Sequence, residues 1–155
     1  MHRSLLILCL LAACGPKEPV VISNTPASIA EATFADSLDI EIEKFDTNAA
    51  GLYWRDLTVG DGAVVQAGQV VSVNYDGRFP DGSPFDASDP GDPIQFPIGV
   101  RRVIDGWDQG LVGMKVGGKR QLIIPPALGY GPLGSPPVIP PNATLIFTVE
   151  VMAAQ

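Results

Sequence analysis

Histidine is all but missing from this 155-residue chain, and cysteine is nearly so. His2 is the one histidine, while Cys9 and Cys14 both sit at the amino end. Past Cys14 the chain has no residues for a histidine triad, a His/Cys metal site or a thiol nucleophile. Basic residues are scarce too, with Lys+Arg 10 against Asp+Glu 17 and a formal net charge of −7. Nucleic acid needs a basic face for its phosphates, so it is not an expected partner. No apolar run approaches the roughly 20 residues that a membrane-spanning helix requires. What is plentiful is glycine (17) and proline (15), which favours a turn-rich β protein over a helical bundle. Apolar residues reach 46%, enough for one domain with a real core.

The amino end reads as an address. Met1-His2-Arg3 is a short positive start, and Ser4 to Leu11 has the size of a signal-peptide core. Leu11-Ala12-Ala13-Cys14 resembles the bacterial lipobox, against the alternative of an ordinary small-residue cleavage site. Residues 1–13 are therefore expected to be a lipoprotein signal peptide, and Cys14 the lipid-bearing terminus. Two or three acyl chains make such an anchor stable where one is marginal. Pro16 stands where many inner-membrane lipoproteins carry Asp, so the expected place is the bacterial cell envelope, on the outer membrane facing the periplasm.

Residues 14–50 then read as an acidic, proline-containing linker. Between Gly15 and Ala50 seven acids face two bases, and Pro16, Pro19 and Pro26 suit a spacer. Phe34, Leu38, Ile42 and Phe45 have the spacing of one helical face, although Asp39 to Glu43 suits a strand equally. Such a stretch either pairs two subunits or packs loosely on its own domain. The second is the expectation, and with it a monomer.

The domain proper is placed at 51–155. Tyr53 to Thr58 reads as a strand closed by the turn Val59-Gly60-Asp61-Gly62. Gln69 to Asp76 alternates, with Val71, Val73 and Tyr75 on one face. Pro80-Asp81-Gly82 is turn chemistry ahead of Pro84-Phe85-Asp86, and Ile94 to Ile98 is a short apolar run. From Val103 to Met114 the period changes, and Ile104, Trp107 and Leu111 form one helical stripe. Lys119 to Pro125 returns to strand, a Gly/Pro loop covers Pro126 to Pro141, and Thr144 to Met152 closes the chain. Antiparallel strands with one short helix predict an α+β domain, the sheet covering the helix.

Three motifs suggest chemistry and have plainer explanations. Gly113 to Arg120 nearly matches a phosphate-binding loop, but Arg120 replaces the Mg²⁺-binding Ser or Thr and a strand follows. Asn142-Ala143-Thr144 is a glycosylation triplet entering a strand, in a chain with a bacterial address. Asp81, Asp86, Asp89 and Asp92 lack the spacing of a calcium loop and suit turns. Neither metal nor cofactor is expected.

The aromatics are more informative. Tyr75 and Phe147 project from inward strand faces, Trp107 lies on the helix stripe, and Tyr130 opens the long loop. Large apolar residues are usually only core, but a tyrosine hydroxyl wants a partner. Val73-Asn74-Tyr75-Asp76-Gly77, Asp81-Gly82-Ser83-Pro84-Phe85-Asp86, Val103-Ile104-Asp105-Gly106-Trp107, Tyr130-Gly131 and Ile139 to Phe147 follow in this order. Together they resemble the signature segments of the FKBP-type peptidyl-prolyl cis-trans isomerases, over roughly Gly51 to Ala153.

That resemblance implies a twisted antiparallel sheet wrapped around a short helix with an apolar pocket between them. Trp107 would form its floor, and Tyr75, Phe85, Val103, Ile104 and Phe147 its walls. The Ile104 N–H and the Tyr130 hydroxyl would donate to a bound peptide. Asp86 would lie at the edge, with Val138 and Ile139 closing the far side. Proline-containing unfolded or exported polypeptides would be the substrates, and tacrolimus- or rapamycin-type compounds the inhibitors. There are departures. Ile94 stands where many members have a pocket aromatic, and Ser135 replaces a common loop histidine. Asp89 to Pro93 is one residue short and has no arginine to pair with Asp86. Two other readings share the pocket: a peptide-binding chaperone with incidental turnover, and a dimeric surface factor like the macrophage infectivity potentiator group. The last needs a longer, less broken helical arm before Gly51.

Overall fold

Alternating apolar positions build the longer strands of the sheet, and the short segments Asp46–Thr47 and Pro84–Ala87 add to it without such a run. A computed structural model describes residues 29–155. The expected signal peptide and Cys14 lie outside the described residues. The strands are β1 (Asp46–Thr47), β2 (Tyr53–Thr58), β3 (Val70–Arg78), β4 (Pro84–Ala87), β5 (Ile94–Pro97), β6 (Lys119–Ile124) and β7 (Leu145–Ala154). They form one antiparallel, open sheet in the order β1-β2-β6-β7-β3-β4, with β5 also on β3. The single α-helix among the described residues is α1 (Asp105–Gly110).

The outer edge of β3 is shared by two short strands. β5 pairs with Val70 to Val73, and β4 with Asp76 to Arg78. Ser88 bridges the gap between them: its amide donates to the Tyr75 carbonyl at 3.0 Å, and its Oγ accepts from the Tyr75 amide at 3.0 Å. The turn after β4 is thereby fixed over Tyr75.

Inward residues of β3, β6 and β7 (Val71, Val73, Leu122, Ile124, Leu145, Phe147, Val149 and Val151) make one buried cluster with Trp107 and Leu111 of the helical segment. The helix lies hard against the sheet because glycines face it. A Cβ on Gly106 would come within 2.6 Å of Ile124, and one on Gly110 within 2.7 Å of Leu122. The expected stripe is therefore present, but regular helix covers only six residues. Its preceding turn is held instead by Asp108, whose carboxylate accepts from the amides of Gly99 and Arg101, each at 2.7 Å.

The opposite sheet face is covered by the chain's own amino-terminal stretch. Ile29 and Leu38 bury with Ile123 and Ile146, and Phe34, Ile42 and Phe45 pack beside them. These residues do not form the helical face that their spacing permits; Ile29, Leu38 and Ile42 lie on three 3-10 turns, Ile29–Glu31, Asp36–Leu38 and Ile42–Lys44, with Phe34 and Phe45 outside them. Sheet side chains satisfy the strap's backbone: Gln121 donates to the Leu38 carbonyl at 2.9 Å and Arg55 to the Asp39 carbonyl at 2.7 Å. Packing against two isoleucines decides the local conformation, and the strap is part of the fold from Ile29 onward.

The near-match to a phosphate loop is a turn into β6. Arg120 is buried, donates to both Asp56 oxygens at 2.7 and 2.9 Å, and reaches the Gly110 carbonyl at 2.9 Å. Asp81 accepts from the Ser83 amide at 2.9 Å, which is turn duty. Among the described residues no helix is long and apolar enough to cross a membrane.

Candidate active site

One cavity of about 480 Å³ opens between the sheet's concave face, the helix and the long loop. β3 supplies Tyr75, β4 supplies Phe85 and Asp86, β5 supplies Ile94, and β7 supplies Phe147. The segment entering the helix gives Val103, Ile104 and Trp107, and the loop gives Tyr130, Val138 and Ile139. All eleven residues singled out in the domain therefore line this one space. Leu122 and Val149, core residues of β6 and β7, are fully buried and do not reach it.

The floor is a cluster of rings around Trp107, itself 5% exposed. Its centroid lies 5.2 Å from Tyr75 and 5.2 Å from Phe147, both edge-on, and 5.4 Å from Phe96. Phe85 stands edge-on to Phe147 at 5.4 Å and is backed by Phe79 at 4.9 Å. Edge-to-face contacts of this kind lock ring positions as well as burying area. Phe96 lies two residues after Ile94 on β5, on the same strand face, and packs on the Trp107 ring.

The polar groups are few. The Tyr75 hydroxyl donates to Asp86 Oδ2 at 2.8 Å, and the Ala87 amide donates to Oδ1 at 3.0 Å. Asp86 thus has two donors without the loop arginine that the resemblance led one to look for. Neither the Ile104 amide nor the Tyr130 hydroxyl donates to any group among the described residues. Both sit at the cavity as donors with capacity to spare.

Comparison with known proteins gives the family. The family model described as FKBP-type peptidyl-prolyl cis-trans isomerase matches residues 62–152. The chain belongs to that family. An FK506-binding protein of Neisseria meningitidis is 48% identical over 103 residues, covering 66% of this chain and 94% of that protein. The 46 kDa FK506-binding nuclear protein of Spodoptera frugiperda is 51% identical over 104 residues, 66% of this chain. The chain spans only 25% of that longer relative. The crystal structure of FkpA from Escherichia coli superposes with a TM-score of 0.68 at 39% identity, covering 77% of this chain and 55% of that one.

Within this FKBP domain, burial first and then the bond to Asp86 push the Tyr75 hydroxyl well above its ordinary value of 10.0. Tyr130 moves the same way, through partial burial and then the Asp86 charge, although 41% of its surface is exposed. A raised value favours the protonated form, so any stability these phenols add is full below pH 10 and is lost as pH rises through the raised values. Peptide turnover is expected to stay level from pH 7 to about pH 10 as far as they are concerned. A fall centred between pH 8 and about 9 in a pH–rate profile, removed by Tyr130→Phe, would show the opposite. Sequence reading passed over Arg102, Ser135 and Pro136 as site residues, yet all three line the cavity. Arg101-Arg102 was the available signal, two adjacent cations in an acidic chain.

Proposed function

We propose that this FKBP domain isomerises X-Pro peptide bonds in polypeptides exported to the bacterial envelope. The observation that carries the reading is a ring-lined cavity with two uncommitted donors, Ile104 N–H and Tyr130 O–H, at its surface. Rotation about X-Pro is slow because twisting the amide breaks its resonance, at a barrier of about 18–20 kcal/mol. The twisted amide is less polar than the planar one. A dry aromatic surface around Trp107 disfavours the planar form, while a donor placed for the twisted geometry favours the other. About 5 kcal/mol off the barrier corresponds to a thousandfold or more. In this scheme Tyr75, Trp107 and Phe147 hold the proline ring, and Asp86 orients Tyr75. Ile104 and Tyr130 address the flanking carbonyls, and Phe85, Val103, Ile94, Val138 and Ile139 enclose the rest.

The exposed apolar side chains at the mouth, Tyr130, Val138 and Ile94, suit an unfolded chain passing across it. We place the protein as a monomer tethered through acylated Cys14, on the outer membrane facing the periplasm. The lipobox-like Leu11-Ala12-Ala13-Cys14 and Pro16 support that placement. Relatives of bacterial, nuclear and plant origin share the domain, so its compartment rests on the amino-terminal sequence. The strap from Ile29 covers its own sheet, which favours a packed stretch over an arm that pairs two subunits.

The test is isomerisation of X-Pro peptides by the purified chain, with and without rapamycin. Turnover blocked by the drug, and lowered about tenfold or more in Asp86→Ala and Tyr130→Phe, is the expected result. Absence of turnover with retained binding of unfolded protein would move the assignment to a chaperone.

A further inference from the structure

This acidic chain presents an arginine pair at the lip of its cavity. Arg101 and Arg102 are both exposed, and Arg102 lines the cavity beside Val103 and Ile104. The turn that presents them is not a relaxed one. Arg101 has φ 59, in the left-handed region that residues with a Cβ avoid. Asp108 holds it there, through the bonds to Gly99 and Arg101 already described. Such conformations persist where the surroundings over-determine them.

The charges around the cavity leave this pair uncommitted. Asp86 is the only other charged residue lining the space, and both its oxygens accept, from Tyr75 and from Ala87. Both Asp108 oxygens are likewise occupied by backbone amides. Asp89 and Asp92 lie on the turn before β5, and Asp105 opens the helix. Among the described residues, none of these acids, nor any other, comes within 4.0 Å of the Arg101 or Arg102 guanidinium. The mouth therefore offers a free planar cation with the fork geometry that matches a carboxylate.

We infer that Arg102 is a specificity-determining residue, favouring polypeptides with Asp or Glu next to the isomerised proline and disfavouring Lys there. This rests on the isomerase reading above. An exposed rim charge acts mainly on encounter and on KM, and its effect is screened by salt.

The experiment uses the full chain and blocked peptides that differ only in carrying Glu, Gln or Lys at one position, before or after the proline. At one position the ratio of kcat/KM for Glu over Gln is expected to be about three to five at low salt, carried by KM. In about 1 M salt it should fall towards one. Arg102→Gln should abolish the ratio, Arg102→Lys should keep part of it, and Arg102→Glu should invert it in favour of the Lys peptide. Equal turnover of the three peptides at every position would overturn the inference and leave the isomerase reading intact. A ratio that survives Arg102→Gln would overturn it as well, and no turnover of any peptide would remove both.

Discussion

Gly77→Ala is expected to lower kcat/KM for X-Pro peptides by about tenfold to a hundredfold while the protein still folds. Gly77 lies near the end of β3, paired with Phe147 on one side and with Asp86 on the other. Its φ is ordinary, so only space is at issue. A Cβ there would stand 2.8 Å from Phe85 Cζ and 2.9 Å from Phe147 Cε1. Contacts that short require something to shift, and the ring ends are freer than the paired backbone. Both rings wall the cavity, and Phe147 also fixes Trp107 edge-on at 5.2 Å. One methyl group on the sheet thus displaces the walls and loosens the floor. Overpacking of this kind should also cost about 1–3 kcal/mol of stability. Peptide turnover and a urea melt on the same preparation measure the two effects. Adding Phe85→Leu makes room for the methyl and should recover stability without restoring turnover. Wild-type activity in Gly77→Ala would mean that these ring positions are irrelevant to catalysis.

The sheet was legible because the residues facing the helix are apolar at a period of two. Val71, Val73, Leu145, Phe147, Val149 and Val151 alternate with less buried neighbours over most of their runs, and a period of two survives bulges at its ends. The cavity was legible through the resemblance: periodicity placed Tyr75, Trp107 and Phe147 at inward positions, but the pocket they share was implied by the family's signature segments. The strap was not legible. Phe34, Leu38, Ile42 and Phe45 carry a pattern that serves helix or strand, and only Ile123 and Ile146 across the sheet select the 3-10 turns. Those isoleucines read as the outer positions of their strands, where polar residues are the usual expectation. Asp86 illustrates a different limit. Its partners are a tyrosine eleven positions earlier and its neighbour's own amide, and no spacing rule joins a carboxylate to either. Arg102 was obscured by exposure, since a surface arginine is normally solvated and unremarked.

Ile146 and Phe147 are neighbours whose substitutions should separate stability from catalysis. They point to opposite faces of β7, as successive strand residues must. Ile146 is 2% exposed and buries against the strap with Leu38 and Ile29. Phe147 is 4% exposed and lines the cavity. Ile146→Ala leaves a cavity under the strap and removes apolar burial, an expected loss of about 2–4 kcal/mol. The folded fraction should retain kcat/KM within about twofold, because no wall residue rests on Ile146. Phe147→Leu keeps most of the volume, so its stability loss should be the smaller of the two. Turnover should nevertheless fall about tenfold, since the edge-on contacts to Trp107, at 5.2 Å, and Phe85, at 5.4 Å, disappear together. Urea unfolding and peptide isomerisation, each measured on both variants, give four numbers that must cross in this way. If Ile146→Ala lost activity in a fully folded sample, the strap would be acting on the cavity through the sheet. The separation of a structural face from a catalytic one would then fail, and the strap would have to be counted among the elements that set the site.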